Sequence, residues 1–183
     1  MNILFLPIDI DLTGFEFKQT DKSQRISKQW NPWWETTVIS RDTQIKNQLD
    51  RVLDQLPFKE ITTITYKLQE EPVDEHVDLV SWARLKPGEL AHIQAHEPAG
   101  YRLVITGSDD VLEVYNGEQW QTAYTPTPSC YVINSTQGLH RVRADADRSL
   151  IYIRGILDSE AHSALIEKSL KKYGQWAISR VEK

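Results

Sequence analysis

Short runs rich in Val, Ile, Tyr and Leu recur about every ten residues between residues 60 and 156. Turn-forming residues separate these runs, among them Gly107-Ser108-Asp109-Asp110, Asn116-Gly117 and Ala144-Asp145-Ala146-Asp147. The Asn-Gly pair between "VLEVY" and "EQWQTAY" is a strong signal for a hairpin with a two-residue turn. So many consecutive short strands predict a sandwich, a jelly roll or a barrel.

Helical periodicity appears on either side of this β-rich region. The stretch "RDTQIKNQLDRVLDQLPF" has apolar residues at helical spacing on one face, namely Ile45, Leu49, Val52, Leu53 and Leu56. Asp42 or Thr43 can cap its start and Pro57 ends it, which predicts a helix over about 43–56. A second helix is predicted over about 159–173, with Gly174 as its stop.

Composition limits the compartment and the partners. At 183 residues the chain (1–183) fits one domain with a β-rich core at about 60–156. Its 21 basic and 26 acidic residues give a net charge of -5, which argues against nucleic acid and anionic membrane surfaces as partners. A single cysteine, Cys130, favours a reducing compartment.

The first residues, "MNILFLPIDIDL", are apolar but include Asp9 and Asp11, and they predict a first strand rather than a signal peptide. No apolar run approaches the ~20 residues of a membrane span. The expectation is therefore a cytoplasmic protein without a membrane partner. The sequence does not indicate an oligomeric state.

Two of the five histidines lie four residues apart in "AHIQAHEPAGYRLVITG". In an extended strand His92 and His96 share a face but lie about 13 Å apart, which is too far for both to bind one metal ion. At most one is therefore a ligand. His96 is preferred because it lies at the strand end, where the chain can turn and bring Glu97 to the same ion. The alternative is two ordinary surface histidines.

His140 and Arg148 lie in consecutive strands near the end of the β-rich region. If residues 144–146 form a hairpin turn, Val142 pairs with Arg148, and His140 and Arg148 share a face. A four-residue turn places them on opposite faces. His76 and His162 have no supporting neighbours in the sequence and are assigned no role.

The order of these motifs resembles the aspartyl/asparaginyl β-hydroxylase family, which belongs to the iron(II)- and 2-oxoglutarate-dependent oxygenases. The resemblance covers roughly residues 82–156 and depends on Arg84-Leu85-Lys86-Pro87-Gly88, His96, Arg102-Leu103, His140 and Arg148. It implies a mainly β double-stranded β-helix, a cupin-like jelly roll, here with two flanking α-helices. It also implies a dioxygenase that hydroxylates a peptidyl Asp or Asn side chain or a small molecule.

The same resemblance implies a metal centre in which His96 and His140 bind iron(II), and Glu97 is the candidate carboxylate ligand. Imidazole and carboxylate donors with open positions suit non-haem iron. The oxygenase class usually has His-x-Asp or His-x-Glu, but Pro98 stands at that position after His96, and Glu97 would need a bulge to face the ion. A two-histidine centre, an altered triad and a site that no longer binds iron all stay open.

For the cosubstrate, the resemblance implies that Arg148 anchors 2-oxoglutarate and that Arg102 makes a second carboxylate contact. The forked guanidinium group of arginine suits a dicarboxylate. Ser135 or Thr136 is a candidate for an additional hydroxyl contact.

Two other functions remain open at this level. A cupin-like metal enzyme of another type would bind a metal ion without responding to 2-oxoglutarate. A non-catalytic jelly-roll binding protein would bind no metal, and its histidines would be dispensable. Pro98 favours these alternatives, whereas Arg148 after His140 favours the oxygenase.

Overall fold

The computed structural model describes residues 3–17, 34–38, 43–69, 72–78, 100–107, 111–143 and 148–182, and for 34–38 and 43–46 it describes the backbone alone. Within these residues the chain is mainly β, as predicted. The strands are β1 (Ile3–Pro7), β2 (Trp34–Val38), β3 (Phe58–Gln69), β4 (Val73–His76), β5 (Tyr101–Thr106), β6 (Leu112–Tyr115), β7 (Trp120–Thr122), β8 (Ser129–Ile133), β9 (His140–Val142), β10 (Arg148–Leu157) and β11 (Ile178–Ser179). The helices are α1 (Thr43–Leu53) and α2 (Ser159–Tyr173).

These strands form two antiparallel sheets. The large sheet has the order β11-β1-β8-β5-β10-β3-β2, and the small sheet has the order β4-β9-β6-β7. The longest pairing joins β10 to β3, from Arg148 opposite Gln69 to Leu157 opposite Phe58. This pair of strands contributes cationic side chains to a pocket that lies between the sheets.

Apolar side chains cover both faces of the large sheet. One buried cluster joins the sheet to the helix layer and contains Leu49, Val52, Ile151 and Ile153. A second cluster joins the two sheets through residues such as Val104 of β5 and Val142 of β9. Each fully buried side chain of this kind contributes about 1.5–3 kcal/mol. The result is a layer of helices on one face of a two-sheet packing.

Both predicted helices are present. Leu49, Val52 and Leu53 of α1 are buried as predicted, and so is Leu56 in the turn that follows it. The α-helix ends at Leu53, three residues before the predicted end, because the chain tightens there into i→i−3 hydrogen bonds such as Leu56 N–H to Leu53 O. The second helix, α2, spans the predicted range, and the Asp158 carboxylate caps it. Neither described helix is long and apolar enough to cross a membrane.

The predicted Asn-Gly hairpin joins β6 to β7, but its turn is longer than two residues. Tyr115 pairs with Trp120, so four residues form the loop. The Asn116 side-chain oxygen accepts hydrogen bonds from the backbone N–H groups of Glu118 and Gln119 at 2.9 Å each. Gly117 provides the positive φ of 105° that the turn requires.

The hairpin predicted between His140 and Arg148 is wrong. Val142 pairs with Val73 and Leu112 in the small sheet, whereas Arg148 pairs with Gln69 in the large sheet. The physical reason is that every residue of β10 is buried or partly buried, which is typical of a central strand covered on both sides. The chain therefore changes sheets between β9 and β10.

Candidate metal site and cationic pocket

The first two metal-ligand candidates come from the end of β4. His76 is the last residue of this strand and Asp78 follows two residues later. Side chains two positions apart in an extended chain lie on the same side, and the intervening Val77 is exposed. The Asp78 backbone N–H donates a 2.7 Å hydrogen bond to the Ser135 carbonyl, which fixes the carboxylate close to the large sheet.

The third candidate, His140, begins β9 and is the direct cross-strand partner of His76. The two imidazole rings have their centroids 4.3 Å apart. One ligand atom from each of His76, Asp78 and His140 lies within 4.8 Å of the other two. This group can therefore hold a metal ion.

Backbone carbonyl groups fix the tautomer of both imidazoles. The Nδ1–H of His76 donates to the Asp74 carbonyl at 2.7 Å, and the Nδ1–H of His140 donates to the Gly138 carbonyl at 2.9 Å. Each neutral ring then has its lone pair on Nε2. The two Nε2 atoms lie 3.5 and 3.7 Å from the same Asp78 oxygen, Oδ1. Such carbonyl-oriented imidazoles are the usual arrangement around a protein-bound metal ion.

Electrostatics favour the cation-binding forms of Asp78 and His140. Burial opposes ionisation of Asp78, but the His76 hydrogen bond and the charges of Arg102 and His140 outweigh it and hold the pKa of Asp78 well below its usual range. Burial lowers the pKa of His140 to about 4. The hydrogen bond to Asp78 raises the pKa of His76. At neutral pH a carboxylate and at least one neutral imidazole are therefore available.

A pocket opens beside this group, between the two sheets, and cationic side chains from the large sheet line it. These side chains are Lys67, Arg102 and Arg148. Nη2 of Arg102 donates to Asp78 Oδ2 at 3.1 Å and to Ser135 Oγ at 3.2 Å. Its buried Nη1 has no hydrogen-bond partner among the described residues. Arg102 thus has donor capacity left for a ligand.

Arg148 is only 3 % exposed, and Gln69 holds it in a defined orientation. The Nε–H of Arg148 donates a 3.0 Å hydrogen bond to Oε1 of Gln69, the residue directly opposite on β3. Gln69 is fully buried. Leu150 and Tyr131 complete this side of the pocket.

The structure brings together four of the six site residues predicted from the sequence. His140, Arg102 and Arg148 line one pocket, and Ser135 contacts Asp78 and Arg102 at its edge. Thr136 instead donates to the Asn134 side chain. The predicted ligands His96 and Glu97 lie outside the described residues, as do His92, Pro98 and the Arg84–Gly88 motif.

The sequence analysis missed His76 and Asp78, and its statement that His76 has no supporting neighbours is wrong. The signal was present, because His76-Val77-Asp78 is itself a His-x-Asp pattern. The second histidine without an assigned role, His162, lies on α2 and contacts the Tyr101 hydroxyl at 2.8 Å, away from the pocket.

No protein-family model matches the chain, and no curated protein matches it. The geometry of the site is therefore the basis for inferring its function.

Proposed function

We propose that the chain is an iron(II)- and 2-oxoglutarate-dependent oxygenase whose metal ligands are His76, Asp78 and His140. The observation that carries the proposal is the convergence of two carbonyl-oriented imidazoles on one carboxylate, beside a pocket that contains a buried arginine. The fold has two antiparallel sheets with these three side chains between them, and it is compatible with the jelly roll that such enzymes use. The resemblance seen in the sequence supports the same class.

The donor set fits iron(II). Two imidazoles and one carboxylate on one side of an ion leave further coordination positions open, as in non-haem iron oxygenases. His76 and His140 would bind through Nε2 and Asp78 through Oδ1, the atoms that already face one another. When bound, iron(II) supplies the capacity to activate O2 for oxidation of a substrate C–H bond.

The protein's own residues would bind and orient the acid. Arg148 would receive the distal carboxylate of 2-oxoglutarate, because its guanidinium group is buried, lines the pocket and is oriented by Gln69. Arg102 would orient the Asp78 carboxylate and direct its remaining N–H groups at the acid. The apolar walls, including Val142 and Leu150, would keep water out of the pocket.

The substrate that is oxidised is a peptidyl Asp or Asn side chain or a small molecule, as the family resemblance implies. Both substrate classes use the same 2-oxo acid cosubstrate, as the family resemblance implies. Identification of the cosubstrate therefore comes first.

Anaerobic titration of the metal-free protein with iron(II), followed by 2-oxoglutarate, tests the proposal. We expect tight iron binding and then a weak visible charge-transfer band that needs both components. Iron binding without any response to 2-oxoglutarate would indicate a cupin-like metal enzyme of another type. No affinity for iron would refute the metal centre and indicate a non-catalytic jelly roll.

A further inference from the structure

The pocket contains a third cation, Lys67, that neither the metal centre nor the Arg148 anchor requires. Lys67 lies on β3, two residues before Gln69, and the two side chains therefore share the face that looks into the pocket. Its cross-strand partner on β10 is Leu150, the second residue after Arg148. Lys67 and Arg148 are thus diagonal neighbours on the same sheet face, within reach of long side chains.

The charges that line the pocket are unbalanced. Lys67, Arg102 and Arg148 are three cations, and Asp78 is the one carboxylate among the described lining residues, which leaves an excess of two positive charges. This excess lies in a chain whose net charge is -5. A bound divalent metal ion would add to it. A pocket that concentrates positive charge in this way attracts anions and binds them strongly when water is excluded.

The clustering of positive charges disfavours the protonated form of Lys67. Burial lowers the pKa of Lys67 to about 8; the charges of Arg102 and Arg148 act in the same direction, and the charge of Asp78 opposes them. Lys67 nevertheless stays mostly protonated at pH 7. An anion placed among these cations would relieve their mutual repulsion.

Lys67 and Arg102 both contact the same aromatic ring, that of Tyr152. Nζ of Lys67 lies 5.5 Å from the centroid of the Tyr152 ring, a cation–π contact that contributes about 0.5–1 kcal/mol. Arg102 already lies over the same ring, with Cζ 4.6 Å from its centroid. The ring contact therefore does not require a second cation.

We propose that Lys67 is a second anchor for the acid, that it binds the same carboxylate as Arg148, and that it selects dicarboxylates over monocarboxylates. This inference rests on the proposed function, because it assumes that Arg148 receives the distal carboxylate of a 2-oxo acid. It assigns part of the cosubstrate specificity to β3, a strand outside the motifs that carry the family resemblance.

The test compares two 2-oxo acids of equal chain length on the Mn(II)-loaded protein. 2-Oxoglutarate has a distal carboxylate and 2-oxopentanoate lacks it. Calorimetry gives the dissociation constants of Mn(II) and of each acid. In Lys67→Met we expect binding of 2-oxoglutarate to weaken by about tenfold, with Mn(II) and 2-oxopentanoate unchanged, because one charged hydrogen bond is lost. Lys67→Arg keeps the charge and should retain most of the preference for 2-oxoglutarate.

The matched control is Lys59→Met. Lys59 is on the same strand, its side chain is 63 % exposed, and its ion pair with Asp158 is long, at 4.0 Å. This variant should bind all three ligands as the unmodified protein does. Lys67→Gln provides a second, polar replacement in case the methionine variant does not fold.

The outcomes separate this inference from the proposed function. If the Lys67 variants bind 2-oxoglutarate as tightly as the unmodified protein, Lys67 is not an anchor and the oxygenase proposal stands. If they also lose Mn(II), Lys67 supports the fold of the site and the anchor assignment is overturned. If the unmodified protein binds Mn(II) but does not prefer 2-oxoglutarate over 2-oxopentanoate, the proposed cosubstrate and Lys67's role both fail.

Discussion

His76 lies directly opposite His140 across β4 and β9, and both rings direct Nε2 towards the same oxygen of Asp78. A cross-strand pair is a rigid frame, because the register of the two strands fixes the distance between the side chains. The backbone carbonyls that accept from Nδ1 fix the orientation of each ring as well. The three ligand atoms are therefore held in place before a metal ion arrives, which lowers the entropic cost of binding it.

Replacement of His76 by alanine should abolish tight binding of iron(II) or Mn(II). Loss of an outer hydrogen-bond partner alone weakens metal affinity by about 10–100-fold, and loss of a direct ligand should weaken it at least as much. The informative comparison is His96→Ala, since the sequence resemblance implies His96 as a ligand. We expect His96→Ala to keep its metal affinity. If metal titrations instead show that His96→Ala loses its metal affinity and His76→Ala keeps it, the ligand is His96 and not His76.

Metal affinity should depend on pH through His76 more than through His140. A metal ion binds the neutral imidazole, so protonation competes with it. The pKa of His76 is raised by its hydrogen bond to Asp78, and that of His140 is lowered to about 4 by burial. Affinity should be full above the raised pKa of His76 and then fall by about tenfold per pH unit below it, because one proton is taken up. The measurement is a series of Mn(II) titrations from about pH 8 down to about pH 5, which brackets the usual histidine pKa. Uptake of two protons over this range would contradict the prediction.

Gln69→Leu should weaken 2-oxoglutarate binding and leave metal affinity unchanged. The amide oxygen of Gln69 accepts from Nε of Arg148, and without it the guanidinium group loses that orienting contact. A hydrogen bond to a charged group contributes about 1.5–3 kcal/mol, which corresponds to roughly tenfold or more in the dissociation constant. Gln121→Leu on β7, outside the pocket lining, is the matched control. Equal binding by both variants would show that Arg148 does not depend on Gln69.

Gly155→Ala should destabilise the fold by about 1–3 kcal/mol, the range typical of overpacking. Gly155 lies at an irregularity in the pairing of β10 with β3, and a Cβ there would overlap the Glu60 carbonyl oxygen. The matched control is Gly174→Ala after α2, where a Cβ has no neighbour within 4 Å. Chemical denaturation of both variants measures the difference. Equal midpoints would mean that β3 moves to accommodate the methyl group.

The local structure of this chain follows from its sequence patterns to a large extent. Short runs rich in Val, Ile, Tyr and Leu predicted a series of strands between residues 60 and 156, and helical periodicity predicted α1 and α2. The pairing of β9 was not predictable in the same way. Its apolar Val142 can be buried in either sheet, and only the packing of the whole sandwich decides between the two.

The candidate site divides in a similar way. The order of the sequence motifs indicated three site residues, and these residues line one pocket: His140, Arg148 and Arg102. No sequence pattern indicated Lys67 or Gln69 as a site residue, because a polar residue in a strand is most often on a solvated face. Their role depends on the register that places β3 beside β10. The His-x-Asp pattern that His76 forms with Asp78 could have identified it as a ligand. The long separation between His76 and His140 in the chain gives no such indication.

Adjacent residues of β8 face two different environments. Tyr131 faces the pocket, and Cys130, the only cysteine of the chain, faces the core on the helix side of the large sheet. Burial also raises the pKa of this thiol, so that the reactive thiolate is suppressed. Labelling by a thiol-directed reagent should therefore be slow while this core stays closed. Labelling of Cys130 then reports the opening of the core around it.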